Sequence, residues 1–127
     1  MKLKGYLLLI IGTVFYSCKE KTLFEQIQSE DSGIKFSNRI VEKDSINILD
    51  FEYVYNGAGV GIGDFNNDGL QDVFFTGNQV SNKLYLNKGE FKFEDVSEQA
   101  GIGGNGKWCA GVVVVDINND GWQDVYI

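Results

Sequence analysis

The ten residues DFNNDGLQDV (64–73) return almost unchanged as DINNDGWQDV (116–125), with eight of the ten positions identical. Ala58-Gly59-Val60 returns at the same spacing as Ala110-Gly111-Val112. A looser echo pairs FEQIQSEDSGI (24–34) with FEDVSEQAGI (93–102), so the first unit carries extra residues, which fall within 35–52. Short apolar runs flank both loops: GAGVGIG and DVFFTG around the first, WCAGVVVV and DVYI around the second. Such a chain is an array of strand–loop–strand units. Units of this length with several strands stack as propeller blades or a similar array. The sequence holds the starts of about two units, and a closed propeller takes at least four blades. The expected fold is therefore all-β, a partial β-propeller, the N-terminal piece of a longer protein.

The loops repeat a chemistry as well as a shape. Oxygen-bearing side chains fall at positions 1, 3, 5 and 9: Asp64, Asn66, Asp68 and Asp72, then Asp116, Asn118, Asp120 and Asp124. Position 6 is Gly69 or Gly121, and position 7, Leu70 or Trp122, can offer only its carbonyl. Calcium takes about six to eight oxygens at roughly 2.3–2.6 Å in a flexible shell, which alternating positions on a tight loop supply. Magnesium, with its octahedral demand and retained waters, suits the pattern less. An EF-hand would place Glu at position 12 between two helices; here that position is Phe75 or Ile127. The alternative is an Asp/Asn-Gly turn that binds nothing. Against it stand three aspartates in each of two near-identical loops, whose like charges repel unless a cation offsets them. Phe65, Ile117, Val73 and Val125, between the ligands, are expected to anchor the loops in the core.

Composition narrows the function. The chain has 127 residues, no His and a formal charge of −7. Without His, the Ser-His-Asp and Cys-His arrangements and a His-ligated zinc site cannot be built from it. The acidic balance argues against nucleic acid, whose phosphates call for a basic patch. Glu52, Glu94 and Glu98 are unremarkable surface carboxylates, and no nucleophile–base pair can be proposed.

The N-terminus reads as a targeting segment. Lys2 and Lys4 precede the apolar or small residues 7–15 (LLLIIGTVF), too few to span a bilayer, which takes about 20. The stretch ends in FYSC, and a small residue before Cys resembles the lipobox of bacterial lipoproteins. That resemblance implies cleavage after residue 17 and lipidation of Cys18, leaving Cys109 as the one thiol. Several acyl chains anchor a protein stably where one is marginal. Residues 18–31 are expected to form a tether and short helix, with a Thr22–Glu25 capping box and a stop at Gly33. From residue 51 the signals are of strands. FEYVYN alternates, and NKLYLNKGEFKFEDV reads as a hairpin with Leu84 and Leu86 on one arm and Phe91 and Phe93 on the other. Cys109 is expected in the core. Trp108 and Trp122 are expected to pack rather than present aromatic surface.

GVGIGDFNNDGLQDVFFTGN and GVVVVDINNDGWQDVYI resemble FG-GAP (VCBS-type) repeats. SNKLYLNKGEFKFEDVSEQAGI between them resembles the bacterial secreted group associated with ASPIC/UnbV domains (CRTAC-like). The resemblance covers 32–127. It implies a β-propeller with Ca2+ held by Asp64, Asn66, Asp68, the Leu70 carbonyl and Asp72, and by Asp116, Asn118, Asp120, the Trp122 carbonyl and Asp124. The function expected is that of a non-catalytic, calcium-binding lipoprotein repeat module. It would sit on the bacterial outer membrane or cell surface and bind a protein or glycan. The alternative is the propeller part of a secreted hydrolase or lyase whose catalytic residues lie outside this chain.

Overall fold

The computed structural model describes residues 22–127. The signal peptide read at 1–17, Cys18 and the tether as far as residue 21 lie outside the described residues. The described chain is mostly β. Strands β1 (Val60–Gly63), β2 (Asp72–Phe75), β3 (Lys83–Asn87) and β4 (Phe93–Asp95) form an antiparallel sheet in chain order. β5 (Val113–Val115) and β6 (Asp124–Tyr126) pair as a second, two-stranded sheet. Two one-turn helices, α1 (Ser29–Ser32) and α2 (Ser97–Ala100), each end on a left-handed glycine, Gly33 and Gly101. The looser sequence echo is thus a real structural repeat: each Ser-Glu-x-x-Gly-Ile is the same small turn. Among the described residues no helix is long and apolar enough to cross a membrane.

The two sheets meet through glycine. β1 alternates exposed Val60 and Ile62 with buried Gly61 and Gly63. A Cβ on Gly61 would stand 2.8 Å from Val114 Cγ2, and one on Gly59 2.8 Å from the Val112 nitrogen. Only a residue without a side chain lets β1 approach the second hairpin so closely. Phe74 pairs across from Gly61 and Leu84, on the same face, and is 2% exposed. The volume that the missing side chain of Gly61 leaves is taken by Val114 and Val112 of the second hairpin.

The opposite face is covered by the extra residues of the first unit. Phe36 stacks on Phe75 at 4.8 Å, and Phe75 meets Tyr85 edge-on at 5.8 Å. The Lys35 N–H donates to the Tyr85 hydroxyl (3.3 Å). The Gln79 side chain pairs with Val41 like a strand neighbour, accepting from its N–H (2.7 Å) and donating to its carbonyl (3.0 Å).

Several local expectations are corrected. The helix expected from Thr22 begins only at Ser29. The capping box does not form; the Thr22 hydroxyl donates to the Phe24 carbonyl, and Leu23 and Phe24 are exposed. FEYVYN is a run of turns, with Phe51, Val54 and Asn56 N–H groups bonded to the carbonyls of Asn47, Phe51 and Tyr53. The 83–95 hairpin forms, but Phe91 sits in its turn at φ 55°, exposed, and only Phe93 returns on the strand. Phe65 packs beside Phe74 with ring centroids 6.4 Å apart, whereas its counterpart Ile117 is exposed. Cys109 is buried as expected; Trp108 packs edge-on against Phe51, but Trp122 is 51% exposed.

Candidate metal centre

Both acidic stretches are hairpin loops closed at the same register. Gly63 pairs with Asp72 across β1–β2, and Val115 with Asp124 across β5–β6. In the first loop Asp64 accepts from the Asp68 N–H (Oδ1, 3.1 Å) and the Gly69 N–H (Oδ2, 2.8 Å). Asn66 Oδ1 accepts from the same Asp68 N–H (3.1 Å), and its Nδ2 donates to Asp68 Oδ2 (2.8 Å). Asp68 Oδ1 accepts from the Leu70 N–H (2.8 Å). The second loop repeats every one of these bonds: Asp116 to Asp120 and Gly121 (3.1 and 2.9 Å), Asn118 to Asp120 (3.2 and 2.8 Å), and Asp120 to Trp122 (2.9 Å).

The backbone explains why the sequence repeats so closely. Gly69 and Gly121 take φ of 86° and 88°, a left-handed region that a side chain would strain. Asn67 and Asn119 are left-handed too, at 56° and 59°, a conformation that Asn tolerates better than most residues. The Leu70 N–H, together with the Asn66 amide, holds the Asp68 carboxyl below its ordinary range. The Trp122 N–H and the Asn118 amide do the same for Asp120. Both groups are thus kept as carboxylates.

The predicted site residues are not all brought to one point. Asp64, Asn66 and Asp68 share one hydrogen-bonded turn, as do Asp116, Asn118 and Asp120. Leu70 and Trp122 follow directly, their N–H groups already engaged. Asp72 is fully buried, with Oδ2 on the Phe65 N–H (2.9 Å) and Oδ1 on the Asn87 N–H of β3 (2.8 Å). Asp124 repeats the first bond, to Ile117 (3.1 Å), and is only half-buried. Among the described residues no three Asp, Glu or Cys side chains are close enough to hold an ion by themselves. A cation here would therefore need the Asn and carbonyl oxygens as well. The donor set suits that: every donor is a hard oxygen, and a carboxylate oxygen accepting one N–H keeps a further lone pair.

Sequence reasoning missed the residues that join the loops. Gln123 Oε1 accepts from the Asp64 N–H (2.7 Å), and Asn67 Nδ2 donates to the Gly121 carbonyl (3.4 Å). The identity of Gln123 gives no such signal; it follows from the stacking of the two sheets. Elsewhere Glu52, Glu94 and Glu98 are exposed, and Glu94 pairs with Lys88 at 3.0 Å.

Residues 64–127 match the FG-GAP-like repeat family. Cartilage acidic protein 1 of Xenopus tropicalis is 30% identical over 69 residues, covering 54% of this chain and 11% of that protein's length. No solved structure matches the chain.

Proposed function

Because the chain belongs to the FG-GAP-like repeat family, we propose that it is a calcium-stiffened repeat module whose exposed surface binds a protein or glycan. Its two sheets are successive blades of a propeller, and Cys18 carries a lipid that holds the protein on a bacterial outer membrane or cell surface. Its role is non-catalytic. The observation that carries the calcium reading is the repeated loop: the oxygen donors recur at the same five positions, and Asp64, Asn66 and Asp68 make the same hydrogen bonds as Asp116, Asn118 and Asp120. Asp64, Asn66, Asp68, the Leu70 carbonyl and Asp72 would hold one ion. Asp116, Asn118, Asp120, the Trp122 carbonyl and Asp124 would hold the other. The ion supplies charge neutralisation and a cross-link between strand ends. Extracellular modules of this kind bind calcium weakly, with Kd on the order of 10⁻⁴–10⁻³ M, and are filled outside the cell.

A second reading is favoured by the same geometry. The loop carboxylates close on their own loop's N–H groups, which makes each loop a turn that holds without a cation. Calcium counting separates the two. Asp68→Ala is expected to lower the bound stoichiometry from two ions to one, read by equilibrium dialysis. Equal stoichiometry in the variant and the parent contradicts the ligand assignment.

The anchor is tested separately. Cys18→Ser is expected to abolish incorporation of radiolabelled fatty acid in a bacterial host and release the protein from the membrane fraction. Undiminished labelling refutes the anchor.

A further inference from the structure

We propose that Gln123 is a positioning residue for the neighbouring loop, and that it couples cation binding at 64–72 to cation binding at 116–124. The inference rests on the calcium reading above. Gln123 lies between Trp122 and Asp124, two proposed ligands of the second loop, yet its side chain serves the first. Its Oε1 takes the N–H of Asp64, the first proposed ligand there, at 2.7 Å. The approach is built in: a Cβ on Gly63 would lie 2.1 Å from that oxygen, so position 63 has no room for any side chain while the bond is made. Asn67 returns the contact to the Gly121 carbonyl.

The chemistry of coupling follows from these contacts. An ion in the second loop fixes the backbone on both sides of Gln123. That fixes its amide, which holds the Asp64 backbone where its carboxylate faces the first loop. Part of the ordering that the first loop must undergo is then already done, so its ion binds more tightly. By linkage the effect is reciprocal. Gln71 occupies the same position in the first loop and is exposed.

The test is a calorimetric calcium titration of the full chain and three variants: Asp120→Ala, Gln123→Ala and the double. Asp120→Ala removes the second ion. In the parent background it is expected to weaken the remaining ion about fivefold or more, within the range usual for coupled sites. In the Gln123→Ala background the same substitution is expected to leave the remaining ion within about twofold. Trp122 fluorescence follows filling of the second loop independently. If Asp120→Ala leaves the first ion unchanged, or weakens it equally with and without Gln123, the coupling is refuted while the calcium reading stands. If the parent binds no calcium, both are refuted. A general loss of stability in Gln123→Ala would weaken both ions alike and would not erase the difference between the two backgrounds.

Discussion

Asp72→Ala is expected to destabilise the protein by about 2–6 kcal/mol, because it strands two N–H groups at about 1–3 kcal/mol each. Asp72 is fully buried and accepts from Phe65 at the loop start and from Asn87 on β3. It therefore ties loop, β2 and β3 together. Asp72→Asn is expected to cost nearly as much, since an amide offers one acceptor and turns its NH₂ toward the other N–H. The internal control is Asp124→Ala. Asp124 holds the equivalent loop bond in more exposed surroundings, so the loss should be near that of one hydrogen bond, about 0.5–1.5 kcal/mol. Urea unfolding in the presence of a chelator reads all three without contribution from a bound ion. Equal losses at Asp72 and Asp124 would contradict the structural role given to Asp72.

Phe74→Ala is expected to cost about 3–5 kcal/mol, the range for deleting a buried phenylalanine ring. The ring sits over Gly61 on the face turned to the second hairpin, with Phe65 beside it. A small domain holds only about 5–15 kcal/mol in all, so the variant should be largely unfolded at temperatures the parent tolerates. Phe91→Ala provides the contrast. Its ring is 66% exposed in the hairpin turn, and its loss should fall within about 0.5 kcal/mol. Thermal melts followed by circular dichroism compare the two. Similar midpoints for both variants would contradict the placement of the core.

The strands and loops were legible because their signals are local. DFNNDGLQDV and its copy carry the glycine, the left-handed asparagines and the acidic alternation within one hairpin. The same locality misled at FEYVYN. Its alternation is that of a strand, but Asn47 directs the chain into turns just before it. Asn47 Oδ1 accepts from the Leu49 and Asp50 N–H groups, and its Nδ2 donates to the Asp50 carboxylate. An Asn so placed before a turn was the missed cue, followed by Asn56-Gly57 with the glycine at φ 85°. Among the described residues Leu23 and Phe24 are exposed, so the helix expected from Thr22 lacks the packed face from which helices draw most of their stability.

The site was legible in part. Asp64, Asn66 and Asp68 stand together as their spacing implies. The burial of Asp72 was not readable, because it depends on β3 arriving beside β2 with the Asn87 N–H pointing inward. Nor was the Gln123 bond to Asp64, which spans 59 residues and exists only because β1 and the second hairpin stack. Loop chemistry is written within the repeat; what joins one repeat to the next is written in the packing of glycine against valine.

The most direct test of the calcium reading is a pair of thermal melts of the chain, one in chelator and one in about 10 mM calcium. With sites on the order of 10⁻⁴–10⁻³ M, linkage gives about 1.4–2.7 kcal/mol for each filled loop. Two filled loops should then raise Tm by on the order of 10 °C, saturating with calcium concentration. A midpoint that stays the same across the titration would contradict the reading and leave both loops as turns.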